Sequence, residues 1–166
     1  MEIVFSQSQV RTWMKILVAS SVLGLSALVR ISCGPVPFTL QTCALFIIAL
    51  RLPPKSAFLS VMAYLAYHTA VHPLWIVGPT AGYLIAFPFA AYLVAQCAQK
   101  ISPFLAVFLG QGVIYALGVS WLSSFVGLSS AWWQGVVLFL IPDLCKAIAS
   151  VLFIRSEKVF YKNFLT

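Results

Sequence analysis

Six apolar stretches follow one another along this chain, at about 13–31, 41–52, 57–71, 80–98, 102–124 and 132–154, separated only by short turns. A soluble domain carries about 25% charged residues and cannot hide this much apolar surface in one core. Here 62% of residues are hydrophobic and 8% are charged. A spanning helix needs about 20 mostly apolar residues. The 166 residues therefore hold six spans with almost nothing left over. The expected fold is an all-α integral membrane protein, one membrane-embedded domain over residues 1–166 with six transmembrane helices in the lipid bilayer. The segments differ in length and loop chemistry, and no internal repeat is visible.

The net charge is +7. The basic residues fall singly or in pairs between apolar segments, without the basic stripe and interleaved aromatics of a nucleic-acid surface. No nucleic-acid partner is expected. The cations report topology instead. Arg11, Lys15, Arg51, Lys55, Lys100, Arg155, Lys158 and Lys162 fall on one side of six spans, and Arg30 alone on the other. Positive residues stay inside, so both termini are expected to be cytoplasmic, with Trp132 and Trp133 at the outer interface and the tail "RSEKVFYKNFLT" at the inner one. Arg30 also sits where a signal-peptide cleavage site needs a small residue, so the first stretch is expected to be a retained helix. Cys33, Cys43, Cys97 and Cys145 form no C-x-x-C pair and read as small apolar fillers. His68 and His72 lack a third ligand and read as loop histidines rather than a metal site. No G-x-x-x-x-G-K-[ST] phosphate cradle occurs. ATP-driven work would need another chain.

Against this background the run "LFLIPDLCKAIASVLF", residues 138–153, is unusual. Asp or Lys at a helix centre in lipid costs roughly 2.5–3.5 kcal/mol on insertion scales, so Asp143 and Lys146 are expected to face protein or a wet cavity. Asp143 lies about 11 residues, or about 16 Å, into the sixth stretch, close to mid-membrane. The i,i+3 spacing puts both charges on one face, shared with Phe139 and Ser150. Pro142 inside that helix would free the Leu138 carbonyl. An acid, an amine, a carbonyl and a ring then converge, which suits a small polar ligand with donors and acceptors. An ion pair that only locks packing and a proton relay are the alternatives. Buried pairs seldom stabilise more than apolar substitutes, which disfavours the first.

The fourth stretch opens "GPTAGYL". Pro79 fits a first helical turn, and the free N–H groups there, with the Thr80 hydroxyl, suit an anion; plain capping is an equal reading. Gly82 permits close approach, and Tyr83 supplies a ring and a hydroxyl. The second and third stretches are too short to cross about 30 Å, as where non-helical backbone lines a transporter cavity.

Three segments in order, "GPVPFTLQT" at 34–42, "GPTAGYLIAF" at 78–87 and "PDLCK" at 142–146, resemble the BioY biotin transporters, the substrate-binding S components of energy-coupling factor transporters. The resemblance runs from the first helix to Lys146. It implies a six-helix substrate-binding domain with a deep outward-facing biotin pocket in the bacterial inner, or cytoplasmic, membrane. Phe38, Thr39 and Gln41 would belong to its lid loop and binding surface. Asp143 and Lys146 would meet the ureido head group, and Phe38 and Tyr83 the bicyclic ring. Ala81 replaces the family's usual glycine. No arginine or asparagine near that loop is expected to hold the valerate carboxylate, which leaves the fourth helix N-terminus with Thr80. Ala19, Ser20 and Gly24 form a small-residue patch by which the first helix would dock on a transmembrane coupling subunit, itself served by two ATP-binding subunits. Biotin would be cargo, and no cofactor is expected. The alternatives are an S component for another vitamin, a structural bundle protein, and a membrane-embedded enzyme using Asp143 and Lys146 as acid and base. For the enzyme, no nucleophile with a positioned base and no metal set is visible.

Overall fold

The computed structural model describes residues 6–32 and 34–164, with side chains as far as Glu157; Cys33 lies outside the described residues. Helix α1 (Gln7–Ser26) opens on a capping box in which Ser6 and Gln9 exchange backbone and side-chain bonds. It ends at Ser26 rather than near 31. The chain turns away there because Arg30–Ile31 (β1) pairs antiparallel with Phe38–Thr39 (β2), Arg30 opposite Thr39. Helix α2 (Gln41–Arg51) has only 11 residues, about 16 Å at 1.5 Å per residue, as the second stretch led one to expect. Helix α3 (Pro54–Val71) starts earlier than 57 because Pro54 sits at its first position, where no N–H is needed. A 3-10 turn, Pro73–Val77, leads to α4 (Ala81–Cys97). Ser102 caps α5 (Pro103–Val126) by accepting from the Leu105 N–H at 3.3 Å.

The sixth stretch departs most from expectation. One helix was expected over 132–154. After Gly127, whose φ of 77° suits a residue without Cβ, the chain instead forms a short α6 (Leu128–Gly135). It breaks through a 3-10 turn at Val137–Phe139 and restarts as α7 (Leu140–Phe164). Pro142 therefore lies in the first turn of α7, where N–H groups have no intrahelical partner anyway. The mid-helix break expected at Pro142 does not arise. The tail continues α7 to Phe164 rather than forming a separate segment.

Small residues let the helices approach closely. Ala81, Ala86, Ala90 and Ala91 of α4 are fully buried, and Gly82 lies so near α5 that a Cβ there would stand 2.6 Å from the Leu117 carbonyl oxygen. The outer faces are apolar too: Leu17, Val18, Phe89, Ile141 and Leu152 are all exposed. The segments Pro103–Val126 and Leu128–Glu157 are each long and apolar enough to cross a membrane. At one end of the bundle Arg51, at the end of α2, forms an ion pair with Glu157 of α7 and lies 5.5 Å from the Phe153 ring centroid. These two helices thus finish on a common side, as the one-sided cations require.

Candidate ligand pocket

Two neighbouring helices begin halfway up the bundle. The Ser150 hydroxyl on α7 lies 3.2 Å from the Cys43 carbonyl of α2 and 2.7 Å from its own Lys146 carbonyl. Gln41, the first residue of α2, donates its amide to the Tyr64 hydroxyl, near the middle of α3, at 2.7 Å. Asp143, in the first turn of α7, meets Gln111 and Tyr115 near the middle of α5. Asp143 is therefore mid-bundle, but at a helix start rather than deep within a helix. Above α2 and α7 the space is bordered by the hairpin and by Phe139 of the 3-10 turn instead of continuous helix. A cavity of about 1080 Å³ remains, at the upper end of the range for small-molecule pockets.

Its floor is polar. Asp143 is 5% exposed. One carboxylate oxygen accepts from Lys146 Nζ at 2.9 Å; the other accepts from Gln111 Nε2 at 3.0 Å and Tyr115 Oη at 2.8 Å. A carboxylate has about four lone-pair sites, so one is left. Asp143 and Lys146 both line the cavity and are not bound to each other alone. Because Gln111 must turn its NH2 toward the carboxylate, its Oε1 points elsewhere. That oxygen is buried without a partner, and so is Thr42 Oγ1. Leaving such an atom unpaired costs about 1–3 kcal/mol, and both residues line the cavity. The floor thus presents an unfilled acceptor site on Asp143 and spare donors on Lys146, and the Gln111 and Thr42 side chains beside them each hold one unpaired polar atom that is covered in this structure.

The walls mix aliphatic and aromatic side chains. Tyr83 is buried, lines the cavity and donates its hydroxyl to the Gly135 carbonyl at 3.1 Å, tying α4 to α6. Phe139 lines the cavity, whereas Phe38 stacks on Phe139 with ring centroids 4.2 Å apart and is not part of the lining. Phe38, expected at the ligand ring, thus backs the lining ring of Phe139. Thr39 and Gln41 line the wall and bond to each other at 3.2 Å. Thr80 lines the cavity at the start of α4 and makes no capping bond through its side chain. His68 lies in the last turn of α3, not in a loop, and stacks on Tyr64 with centroids 5.6 Å apart. Among the described residues no group of three or more potential metal ligands occurs.

The small-residue patch faces inward. Ala19 is buried in the core, and Ser20 and Gly24 line the cavity, with the Cβ position of Gly24 at 3.8 Å from the Tyr64 ring. Gly24 lets α1 approach α3, and Ser20 and Gly24 remain half-exposed. Among the lining residues with no ligand role expected from sequence are Thr42, Gln111, Tyr115 and Arg30. For Gln111 the available signal was an amide inside an otherwise apolar span. For Arg30 it was being the one cation on the outer side; strand β1 carries it to the cavity that the fourth-helix loop was expected to serve alone.

A family profile described as the BioY family matches residues 2–162. A "Probable biotin transporter BioY" of Pyrococcus horikoshii is 37% identical over 135 residues, covering 76% of this chain and 83% of that protein. A "Biotin transporter BioY" of Thermotoga maritima is 33% identical over 165 residues, covering 90% of this chain and 97% of that protein. A crystal structure of the S-component for biotin from an ECF-type ABC transporter superposes with a TM-score of 0.80 at 25% identity, covering 93% of this chain and 95% of that one.

Proposed function

The chain belongs to the BioY family, and on that premise we propose that it takes biotin up across the cytoplasmic membrane as the substrate-binding component of an energy-coupling factor transporter. The observation that carries this reading is the polar floor of the cavity. Biotin's ureido ring presents two N–H donors and one carbonyl. The spare lone pair of Asp143 and the unpaired Gln111 oxygen accept the N–H groups, and Lys146 and Thr42 donate to the carbonyl. Tyr83 and Phe139 flank the bicyclic ring, and the hairpin carrying Thr39 covers it. The unpaired Gln111 and Thr42 atoms gain partners once these lining side chains turn toward the ligand, which favours full engagement of the head group.

The chain passes through the membrane six times, at α1 to α5 and α7, with α2 and α7 starting at mid-depth and the hairpin and α6 completing their passes, and both termini lie in the cytoplasm. Support comes from the one-sided basic residues and from the shared end of Arg51 and Glu157. The protein binds its cargo and performs no chemistry on it. The sequence holds no phosphate cradle, so ATP-driven uptake needs other chains, and we assign that work to a transmembrane coupling subunit and two ATP-binding subunits. The carrier alternates its access as they turn over.

Equilibrium binding of radiolabelled biotin to the detergent-purified chain tests the reading. Saturable, high-affinity retention is expected, with dethiobiotin competing because it keeps the ureido group. Gln111→Leu should lower affinity for both by about tenfold, one neutral hydrogen bond's worth. Absence of saturable biotin binding by the wild-type chain would refute the reading.

A further inference from the structure

We propose that Arg30 receives the carboxylate at the far end of the substrate, so that the ligand ties the hairpin to the bundle floor; this rests on the biotin reading above. Lys146 and Arg30 are the two lysine or arginine residues that line the cavity. The Lys146 charge is matched by Asp143. Arg30 forms no ion pair among the described residues. The chain has three acids, Glu2, Asp143 and Glu157. Asp143 is held by three donors, Glu157 pairs with Arg51 at the other end of the bundle, and Glu2 lies outside the described residues. The described cavity thus holds one full positive charge that no protein carboxylate answers. A guanidinium meets a carboxylate through two parallel N–H···O bonds, stronger and more specific than a single hydroxyl provides. Thr80, on the same cavity, is the uncharged rival for that role.

The position of Arg30 gives the contact a second consequence. Arg30 on β1 lies opposite Thr39 on β2; Thr39 bonds to Gln41, and Gln41 to Tyr64 of α3. The head group is fixed on α5 and α7 through Gln111, Tyr115 and Asp143. A ligand with a carboxylate at its far end therefore links the hairpin to the opposite wall, and one without it leaves the hairpin unclamped. Selection for the acid and closure over the ligand become a single event.

The test is equilibrium binding of biotin and biotin methyl ester to detergent-purified wild type, Arg30→Gln and Thr80→Val. Wild type should prefer biotin. Arg30→Gln should weaken biotin about tenfold or more, leave the ester unchanged and so abolish the preference, whereas Thr80→Val should keep it. Arg30 is exposed, so the variant should fold as wild type does. A preference that survives Arg30→Gln overturns the proposal, as does an equal loss for both ligands, which would mark a purely structural hairpin residue. Loss of the preference in Thr80→Val alone would assign the carboxylate to the α4 N-terminus instead. A wild-type chain that binds neither ligand would remove the biotin reading, and this inference with it.

Discussion

Asp143→Asn is expected to lower biotin affinity by about 100-fold and to destabilise the protein. The substitution keeps the shape but replaces an acceptor-only group by one with a single acceptor oxygen and two donors. Gln111, Tyr115 and Lys146 now donate to the carboxylate; in the variant at least one of them faces an NH2 group. The ligand's N–H also loses a charged acceptor. Hydrogen bonds to charged groups contribute about 1.5–3 kcal/mol, and about 3 kcal/mol corresponds to about 100-fold. Lys146, whose side chain is 14% exposed, is left without its counter-charge, a change that costs about 3–5 kcal/mol when a buried pair loses one member. Asp143→Asn combined with Lys146→Met separates the two effects. The double variant should recover thermal stability in detergent while binding stays lost. If the pair only locked packing, restored stability would bring back restored binding, and the assigned role of Asp143 would be wrong.

The second large effect is expected at Gly82→Ala. The new methyl would overlap the Trp121 Cβ and stand 2.6 Å from the Leu117 carbonyl oxygen. Backbone cannot step aside as a flexible side chain does, so α4 and α5 must separate. Overpacking of this kind costs about 1–3 kcal/mol. The next residue, Tyr83, shapes the cavity wall and ties α4 to Gly135, so biotin affinity should fall along with the unfolding temperature. Gly112→Ala on α5 is the control. A Cβ there meets nothing within 4 Å, and alanine is the better helix former by about 1 kcal/mol, so stability should hold or rise. Equal thermal shifts for the two variants would show that close α4–α5 packing is not what Gly82 provides.

How far these residues were legible beforehand depended on the cost of each feature. Asp143 and Lys146 stood out because ions in hydrocarbon are expensive wherever the helix points. Gln111, Tyr115 and Thr42 did not, because a neutral polar side chain in a span is cheap, and only the crossing of α5 with α7 gives it a partner. Phe38 was expected at the ligand ring; in the structure it stacks on Phe139, which lines the cavity, an arrangement that forms only when the hairpin folds onto the start of α7. Ala19, Ser20 and Gly24 read equally well as an outward or an inward patch; their contacts point inward. The break between α6 and α7 left no trace in hydropathy, because both sides of it are equally apolar.

By itself the amino-acid sequence determined that the chain belongs in a membrane, that a charged pair sits within an apolar stretch, and which motif family it resembles. Those features follow from composition and from the cost of placing charge in lipid. Only the tertiary structure decided which helix faces meet, where α7 begins, and that Arg30 reaches the same cavity as Asp143. The physical reason is that lipid is as apolar as the protein core. A helix in such a bundle is apolar all round, so its sequence carries little sign of which side turns inward until the neighbouring helices are in place.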